Sequence, residues 1–346
     1  MLKLNQLPEA LLPWYYVNRR DLPWRRDKEP YHVWLSEIML QQTRVEAVKG
    51  YYARFLQALP TVADLAVCDD DVLHKLWEGL GYYSRVRNLK KAAQVIMEKH
   101  GGRFPRRYED VLALPGIGNY TAGAICSICY DDSVPAVDGN VLRVVTRLTE
   151  DSTPIDSAAF KRNMEQQLEA VYPEAAGDFT QALMELGATV CGPNRKPDCE
   201  ICPCKAFCDS AIHGTAERYP VKGEKKPRKE EKMTLFILSC QGNYALEKRP
   251  DKGRLASMWQ FPNVPGYLEP NAAMEYLESI GLYPRTLTRQ LERSHIFTHI
   301  QWQMRGYFVE VADREGTFTW MPEETVEREA ALPTAFRQFW EEKNHV

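Results

Sequence analysis

Long apolar runs are missing from this chain. Nothing in its 346 residues approaches the ~20 consecutive apolar positions of a membrane-spanning helix, which excludes that class. An excess of charge of one sign is missing as well: 44 Lys and Arg stand against 47 Asp and Glu, a net charge of −3. No whole-chain signature of a polyanion binder results, and any such surface must be local. Neither an internal repeat nor a low-complexity domain is found, which argues against solenoid and fibrous architectures. The opening stretch, MLKLNQLPEALLPWYYVNRRDLPW, is interrupted by Pro8, Glu9 and Pro13 and lacks secretory organisation. Five of the nine cysteines crowd into residues 191–208. A chain-wide disulfide scaffold is therefore absent, and local metal ligation in the cytoplasm is expected.

With 44% hydrophobic residues, the chain has enough apolar surface for two cored domains. Residues 112–128 read LALPGIGNYTAGAICSI, a glycine turn between helical patterns. Gly116 and Gly118 let backbone amides approach a ligand closely, and the small-residue helix behind them presents its positive end. Such a turn suits a phosphate. It equally suits a plain αα corner, and the turn alone does not choose.

Residues 31–55 predict helix, turn, helix. Within them Glu37 stands among Val33, Trp34, Ile38, Met39 and Leu40, a setting that raises a carboxyl pKa on burial and suits a proton donor near neutral pH. A solvent-facing helix position is the alternative. Asp138 opens the apolar-periodic run Val141-Leu142-Arg143-Val144 and is placed as an N-cap. The backbone dipoles that favour a cap also favour an ionised carboxylate, so capping and stabilising a developing cation are compatible roles. Gly81-Tyr82-Tyr83-Ser84-Arg85 joins two helices by a turn rich in aromatic and basic groups. It either covers a helix junction or offers Tyr82 to a base stack and Arg85 or Arg87 to phosphate.

The cluster CGPNRKPDCEICPCKAFC has an outer framework of Cys191, Cys199, Cys202 and Cys208, with Cys204 as an additional thiol. Four closely recurring thiols suit zinc or an iron–sulfur cubane. Residues 212–232 are rich in proline, glycine and charge, and their lysines, Lys225 and Lys226 among them, are diluted by Glu224, Glu230 and Glu231. This reads as an exposed connector. The periodicity then changes: residues 234–250 predict two strands across Gln241-Gly242-Asn243, residues 271–280 a helix, and residues 287–291, 297–304 and 307–311 strands. Trp320-Met321-Pro322 and the final stretch over 332–340 complete a smaller α+β domain.

Taken together, SEIMLQQT (36–43), GLGYYSR (79–85), LPGIGNYTAGA (114–124), VDGN (137–140), the four-cysteine framework, Trp259-Gln260-Phe261-Pro262 and Phe297-Thr298-His299 closely resemble the MutY family of adenine DNA glycosylases. That family lies within the helix-hairpin-helix superfamily that includes endonuclease III. The resemblance implies a mainly α helix-hairpin-helix glycosylase domain, with a six-helix barrel and iron–sulfur subdomain, over residues 1–213. It implies a connector over 214–232 and a C-terminal α+β MutT/Nudix-like lesion-recognition domain over 233–346. No complete G-x5-E-x7-R-E-x2-E-E array is present, which disfavours independent pyrophosphate hydrolysis. The implied substrate is adenine opposite 8-oxoguanine, or guanine, in duplex DNA, and the implied state is a cytoplasmic bacterial monomer that joins the nucleoid when bound to DNA.

By the same resemblance, Glu37 is the catalytic acid, Asp138 stabilises or traps the sugar cation, and Tyr120 and Asn140 orient the cleft. Gln42, Thr43, Tyr82, Arg85, Gly116 and Gly118 contact DNA. Phe297, Thr298 and His299 read the lesion, and Cys191, Cys199, Cys202 and Cys208 hold a [4Fe-4S] cluster, with Cys204 outside it. Tyr120 stands where bifunctional relatives carry a Schiff-base lysine, which implies base removal without efficient strand cleavage. Two departures stand out. Seven residues rather than six separate Cys191 from Cys199, and Thr298 replaces the usual serine.

Overall fold

The computed structural model of the chain describes residues 3–193, 196–224, 227–314 and 316–343. Lys225 and Lys226 of the charged connector lie outside the described residues. The chain divides into two compact units, Met1–Val67 with Asn88–Glu224, and Cys68–Arg87 with Lys225–Val346. Among the described residues, no helix is long and apolar enough to cross a membrane.

In chain order the helices of the N-terminal part are α1 (Leu7–Asn18), α2 (Pro30–Leu40), α3 (Val45–Ala58), α4 (Val62–Val67), α5 (Asp70–Leu76), α6 (Ser84–Lys99), α7 (Tyr108–Leu112), α8 (Asn119–Tyr130), α9 (Gly139–Thr149), α10 (Ala158–Glu169), α11 (Ala176–Thr189) and α12 (Asp209–His213). The first unit is built almost wholly from these. Helix α2 starts with Pro30 in its first turn, where a missing N–H costs nothing. It buries Tyr31 and every residue from Val33 to Met39, Glu37 included. Helix α8 buries Thr121 through Ile128 and packs against both α2 and α11. Its small residues permit that close approach on two sides. A second core joins α1 (Leu7, Leu11, Tyr15), α9 (Val141, Leu142, Val145), α10 (Phe160, Met164) and α11 (Phe179, Leu183, Leu186). The i, i+3, i+4 spacing of these residues puts them on one face of each helix.

The second unit contains β1 (Lys229–Cys240), β2 (Asn243–Lys248), β3 (Trp259–Gln260), β4 (Asn263–Pro265), α13 (Pro270–Ser279), β5 (Pro284–Ile296), β6 (Ile300–Val311), β7 (Thr319–Pro322), α14 (Glu323–Glu329) and α15 (Thr334–Trp340). The sheet order is β3-β2-β1-β6-β5, with β4 paired to β1 and β7 to β2. Strands β1 and β6 run parallel, from Lys229 opposite Ile300 to Ser239 opposite Glu310. Because side chains alternate across a sheet, Leu235 and Ile237 enter one core with α14 and α15, while Phe236 and Leu238 enter another with α13. That explains why residues 235–238 are continuously apolar instead of alternating.

Two expectations shift. Strand β1 begins at Lys229, inside the charged stretch read as connector, because its backbone pairs with β6 whatever its side chains. Phe297-Thr298-His299, expected to begin a strand, instead form the turn between β5 and β6, closed by Phe297 N–H donating to Ile300 O at 2.8 Å. The mainly helical domain with a C-terminal α+β domain is thus observed. The iron–sulfur subdomain expected beside them is not, as the cysteine geometry below explains.

Candidate active site

Glu37 enters a cavity of about 450 Å3 from the last turn of α2. Tyr120 enters it from the first turn of α8, directly behind the glycine turn, and Asp138 from the N-cap of α9. Three helix ends thus converge, each with a backbone reason for being there. Tyr120 Oη donates to Glu37 Oε2 at 2.6 Å. Glu37 is only 5% exposed, and burial pushes its carboxyl up to about 7; the Tyr120 hydrogen bond opposes that rise, and the Asp138 carboxylate adds to it. Burial pushes the Tyr120 phenol well up too, so it remains a donor at neutral pH.

Asp138 is tied down differently. Its Oδ1 accepts from the backbone N–H groups of Asn140 and Val141, both at 2.8 Å, and its Oδ2 accepts from Asn140 Nδ2 at 2.6 Å. Burial raises its pKa, and these three hydrogen bonds oppose the rise. Asn140 Oδ1 in turn accepts from Arg143 Nη2 at 3.0 Å, and Arg143 is fixed by the carbonyls of Gly187 and Cys191. A line of hydrogen bonds therefore runs from the cysteine-rich segment to the Asp138 carboxylate. Two carboxyls with unlike surroundings face one cavity, an arrangement fit for acid catalysis beside electrostatic stabilisation of a cation.

Gln42 and Thr43 line the same cavity from the turn after α2, and Gln42 holds a left-handed backbone at φ 60°. Gly116 and Gly118 do not line it. Gly116 has φ 78°, and a Cβ there would lie 2.6 Å from Asn88 Cβ, so the turn requires glycine. Gly118 is the N-cap of α8, open to solvent.

The remaining residues expected to contact DNA or read the lesion fall in the second unit. Tyr82 (φ 47°) and Phe297, Thr298 and His299 line a cavity of about 500 Å3, and the Tyr82 and Thr298 hydroxyls are 3.5 Å apart. Arg85 faces inward rather than toward solvent. Its Nη2 donates to the carbonyls of Leu80 (2.9 Å) and Gly81 (3.1 Å), and its guanidinium lies over the Trp77 and Tyr82 rings. It holds the turn that presents Tyr82.

Sequence reasoning missed Arg20, Arg25 and Glu185. Glu185 is fully buried in α11 and pairs with Arg20 Nε at 2.6 Å and Arg25 Nη1 at 2.7 Å, and both arginines line the Glu37 cavity. The available signal was a lone acid in the apolar run Phe179-Thr180-Gln181-Ala182-Leu183-Met184-Glu185-Leu186. A buried carboxylate needs a cation, and sequence does not say which.

The cysteine expectation is corrected. Among the described residues, no group of three or more His, Cys, Asp or Glu side chains is arranged to hold a metal ion. Cys191, Cys202 and Cys208 are engaged with protein instead, and Cys199 is a half-buried free thiol. Cys191 Sγ accepts from Arg147 Nη1 at 3.2 Å, and Cys208 Sγ donates to Arg147 O at 3.5 Å. Cys202 and Cys204 are hydrogen-bonded to each other, which lowers the Cys202 pKa. Cys191 and Cys204 belong to the second core, with Cys202 and Cys208 packed against it. The residues present thus do not fit the [4Fe-4S] cluster that the resemblance implied.

Residues 35–173 match the HhH-GPD superfamily of base excision DNA repair proteins, and residues 233–342 match the NUDIX domain. A thermostable thymine-DNA glycosylase superimposes on 61% of this chain and 97% of its own, with TM-score 0.56 and 29% identity. Endonuclease III captured as a covalent intermediate with DNA shares the fold, with TM-score 0.52 and 21% identity over 62% of this chain and 99% of its own. The adenine DNA glycosylase of Mus musculus is 37% identical over 360 residues, covering 86% of this chain and 69% of that protein. That of Buchnera aphidicola subsp. Acyrthosiphon pisum is 35% identical over 294 residues, covering 84% and 83%. The fold and these relatives thus define a helix-hairpin-helix enzyme of base-excision repair, a DNA glycosylase that acts on DNA as its substrate. Within that class, the chain belongs to the adenine DNA glycosylase family.

Proposed function

We propose that this glycosylase hydrolyses the N-glycosidic bond of adenine opposite 8-oxoguanine, or guanine, in duplex DNA and leaves an abasic site in an intact strand. The observation that carries this reading is the 2.6 Å hydrogen bond between Tyr120 and a Glu37 carboxyl pushed to about 7, in the cavity that Asp138 also lines. The adenine is extruded from the stack into this cavity. Protonated Glu37 gives its proton to adenine N7, the bond from the sugar C1′ to N9 breaks, and its electrons stay with the neutral base. The sugar cation is stabilised by the Asp138 carboxylate, held by Asn140. Water then attacks C1′, and the Glu37 carboxylate, oriented by Tyr120, takes its proton back.

Gln42 and Tyr82 fill the vacated stack, with Thr43 beside Gln42 and Arg85 beneath Tyr82. Gly116 and Gly118 hold phosphate at the start of α8. Phe297, Thr298 and His299 read the 8-oxoguanine. Catalysis on this reading belongs to residues 1–213 and lesion reading to 233–346, joined by 214–232, in a monomer. Tyr120 supplies no amine for a Schiff base, so strand cleavage does not follow base loss. The test is a labelled duplex carrying adenine opposite 8-oxoguanine, sampled before and after alkali. Free adenine with cleavage only after alkali is expected. Cleavage before alkali overturns the hydrolytic mechanism, and lack of adenine release overturns the substrate.

A further inference from the structure

The turn formed by Phe297, Thr298 and His299 is exposed at its tip, yet Phe297 beneath it is enclosed by other side chains. Trp302 meets the Phe297 ring edge-on at 4.7 Å and His295 meets it at 4.6 Å. Arg254, from the loop between β2 and β3, lays its guanidinium over both Phe297 (5.4 Å) and Trp302 (5.2 Å). A guanidinium stacked on two rings needs an anion to fix its rotation, and Glu231 supplies it. Arg254 Nη1 lies 3.1 Å from Glu231 Oε2, the same oxygen that accepts from Trp302 Nε1 at 3.0 Å. Glu231 stands on β1, in the charged stretch whose sequence gives no hint of an inward role.

The loop that carries Arg254 is constrained as well. Gly253, Leu255 and Ser257 all have left-handed backbones, at φ 91°, 54° and 60°. Two of these are non-glycine positions where such a conformation costs energy and persists only if its surroundings enforce it. The enforcement is visible: Arg249 Nε donates to Arg254 O at 2.9 Å, and Arg87 Nη1 donates to Ala256 O at 3.1 Å. Arg254 also lines the cavity bounded by Tyr82, Phe297, Thr298 and His299.

We propose that Arg254, locked by Glu231, is a positioning residue for lesion discrimination: it sets the Phe297 ring and hence the Thr298-His299 tip that faces the base opposite adenine. This rests on the lesion-reading role proposed above. Lysine retains the charge over the rings but loses the planar fork that Glu231 orients, and alanine loses both.

The test is single-turnover adenine release by the full chain from matched duplexes carrying 8-oxoguanine or guanine opposite adenine, with the dissociation constant measured for each. Arg254→Ala is expected to shrink the 8-oxoguanine preference by about tenfold, chiefly by weakening binding of the 8-oxoguanine duplex. Arg254→Lys and Glu231→Gln are expected to retain the fold and give intermediate preferences, with lysine recovering part of what alanine loses. Equal loss on both duplexes, or an unchanged preference in all three variants, overturns the proposal. If Arg254→Ala fails to fold, the two conservative variants decide by the same ratio. A wild-type chain without any 8-oxoguanine preference refutes instead the lesion-reading role beneath it.

Discussion

Tyr120 donates to Glu37 at 2.6 Å across 83 residues of chain, joining the first turn of α8 to the last turn of α2. The bond has a definite electrostatic sense. It stabilises the Glu37 carboxylate and so works against burial, which holds the same group protonated up to about pH 7. Asp138 works the other way, because a nearby negative charge keeps the proton on Glu37. A proton donor balanced near neutrality between two such neighbours gives opposite responses when each is removed.

Replacing Tyr120 with Phe takes away the hydrogen bond that favours ionised Glu37, so the acid form survives to higher pH. The alkaline limb of the pH profile for adenine release, expected near pH 7 in the wild type, moves up. The rate at its plateau falls through lost orientation of Glu37, by about 10²-fold or less. Single-turnover rates from pH 5.5 to 9 read both changes, and a limb that stays in place or moves down contradicts the assignment.

Asp138→Asn removes a charge while keeping a competent cap, since Asn and Asp serve comparably at an N-cap. Stability is therefore expected to change little by thermal melting. Adenine release is expected to fall by roughly 10²- to 10³-fold through lost stabilisation of the sugar cation. In the residual activity the alkaline limb moves down, because the charge that raised the Glu37 pKa is gone. A purely structural Asp138 would give the reverse pattern, with lost stability and retained rate.

Glu37→Gln separates function from stability. The folded-state pKa is raised from 4.5 to about 7, so the folded chain holds a proton that the unfolded chain releases. The stability contribution is present below about pH 4.5, is lost as pH rises through 7, and amounts to about 3 kcal/mol over that window. Glutamine carries no such dependence. The variant should release no measurable adenine, yet gain stability relative to wild type between pH 5 and pH 8 in denaturant titrations. An equal difference at both pH values would mean that Glu37 ionises normally in the folded chain.

Much of this arrangement is legible in sequence where one element suffices to specify it. The apolar periodicity of residues 31–55 gives α2 and α3, and Asp138 ahead of an amphipathic run gives the α9 cap with its two backbone hydrogen bonds. What sequence cannot supply is partnership across the chain. Nothing local marks Glu185 as the anion between Arg20 and Arg25, or Glu231 as the partner of Arg254. Residues 68–87 group with the C-terminal unit through pairs such as Glu78 with Arg337, 2.6 Å apart but 259 positions distant. The cysteines show the same limit from the other side. Their spacing proposes ligands, but spacing carries no direction for the sulfur atoms, and Arg147, 44 residues before Cys191, takes one of them.

Gly123 tests how helix α8 and the cap of α9 are built together. In the interior of an ordinary helix, replacing glycine with alanine stabilises by about 1 kcal/mol. Here a Cβ would stand 2.2 Å from Pro135 O and 2.8 Å from Pro135 C, backbone atoms that cannot rotate out of the way. Pro135 lies three residues before Asp138, on the segment that delivers the cap to the cavity. Gly123→Ala must therefore move either α8, which carries Tyr120, or the segment that carries Asp138. The expected result is destabilisation of about 2 kcal/mol or more, the usual scale of overpacking, accompanied by slower adenine release at temperatures where the variant remains folded. Stabilisation by the substitution would mean that the two backbones are not in contact.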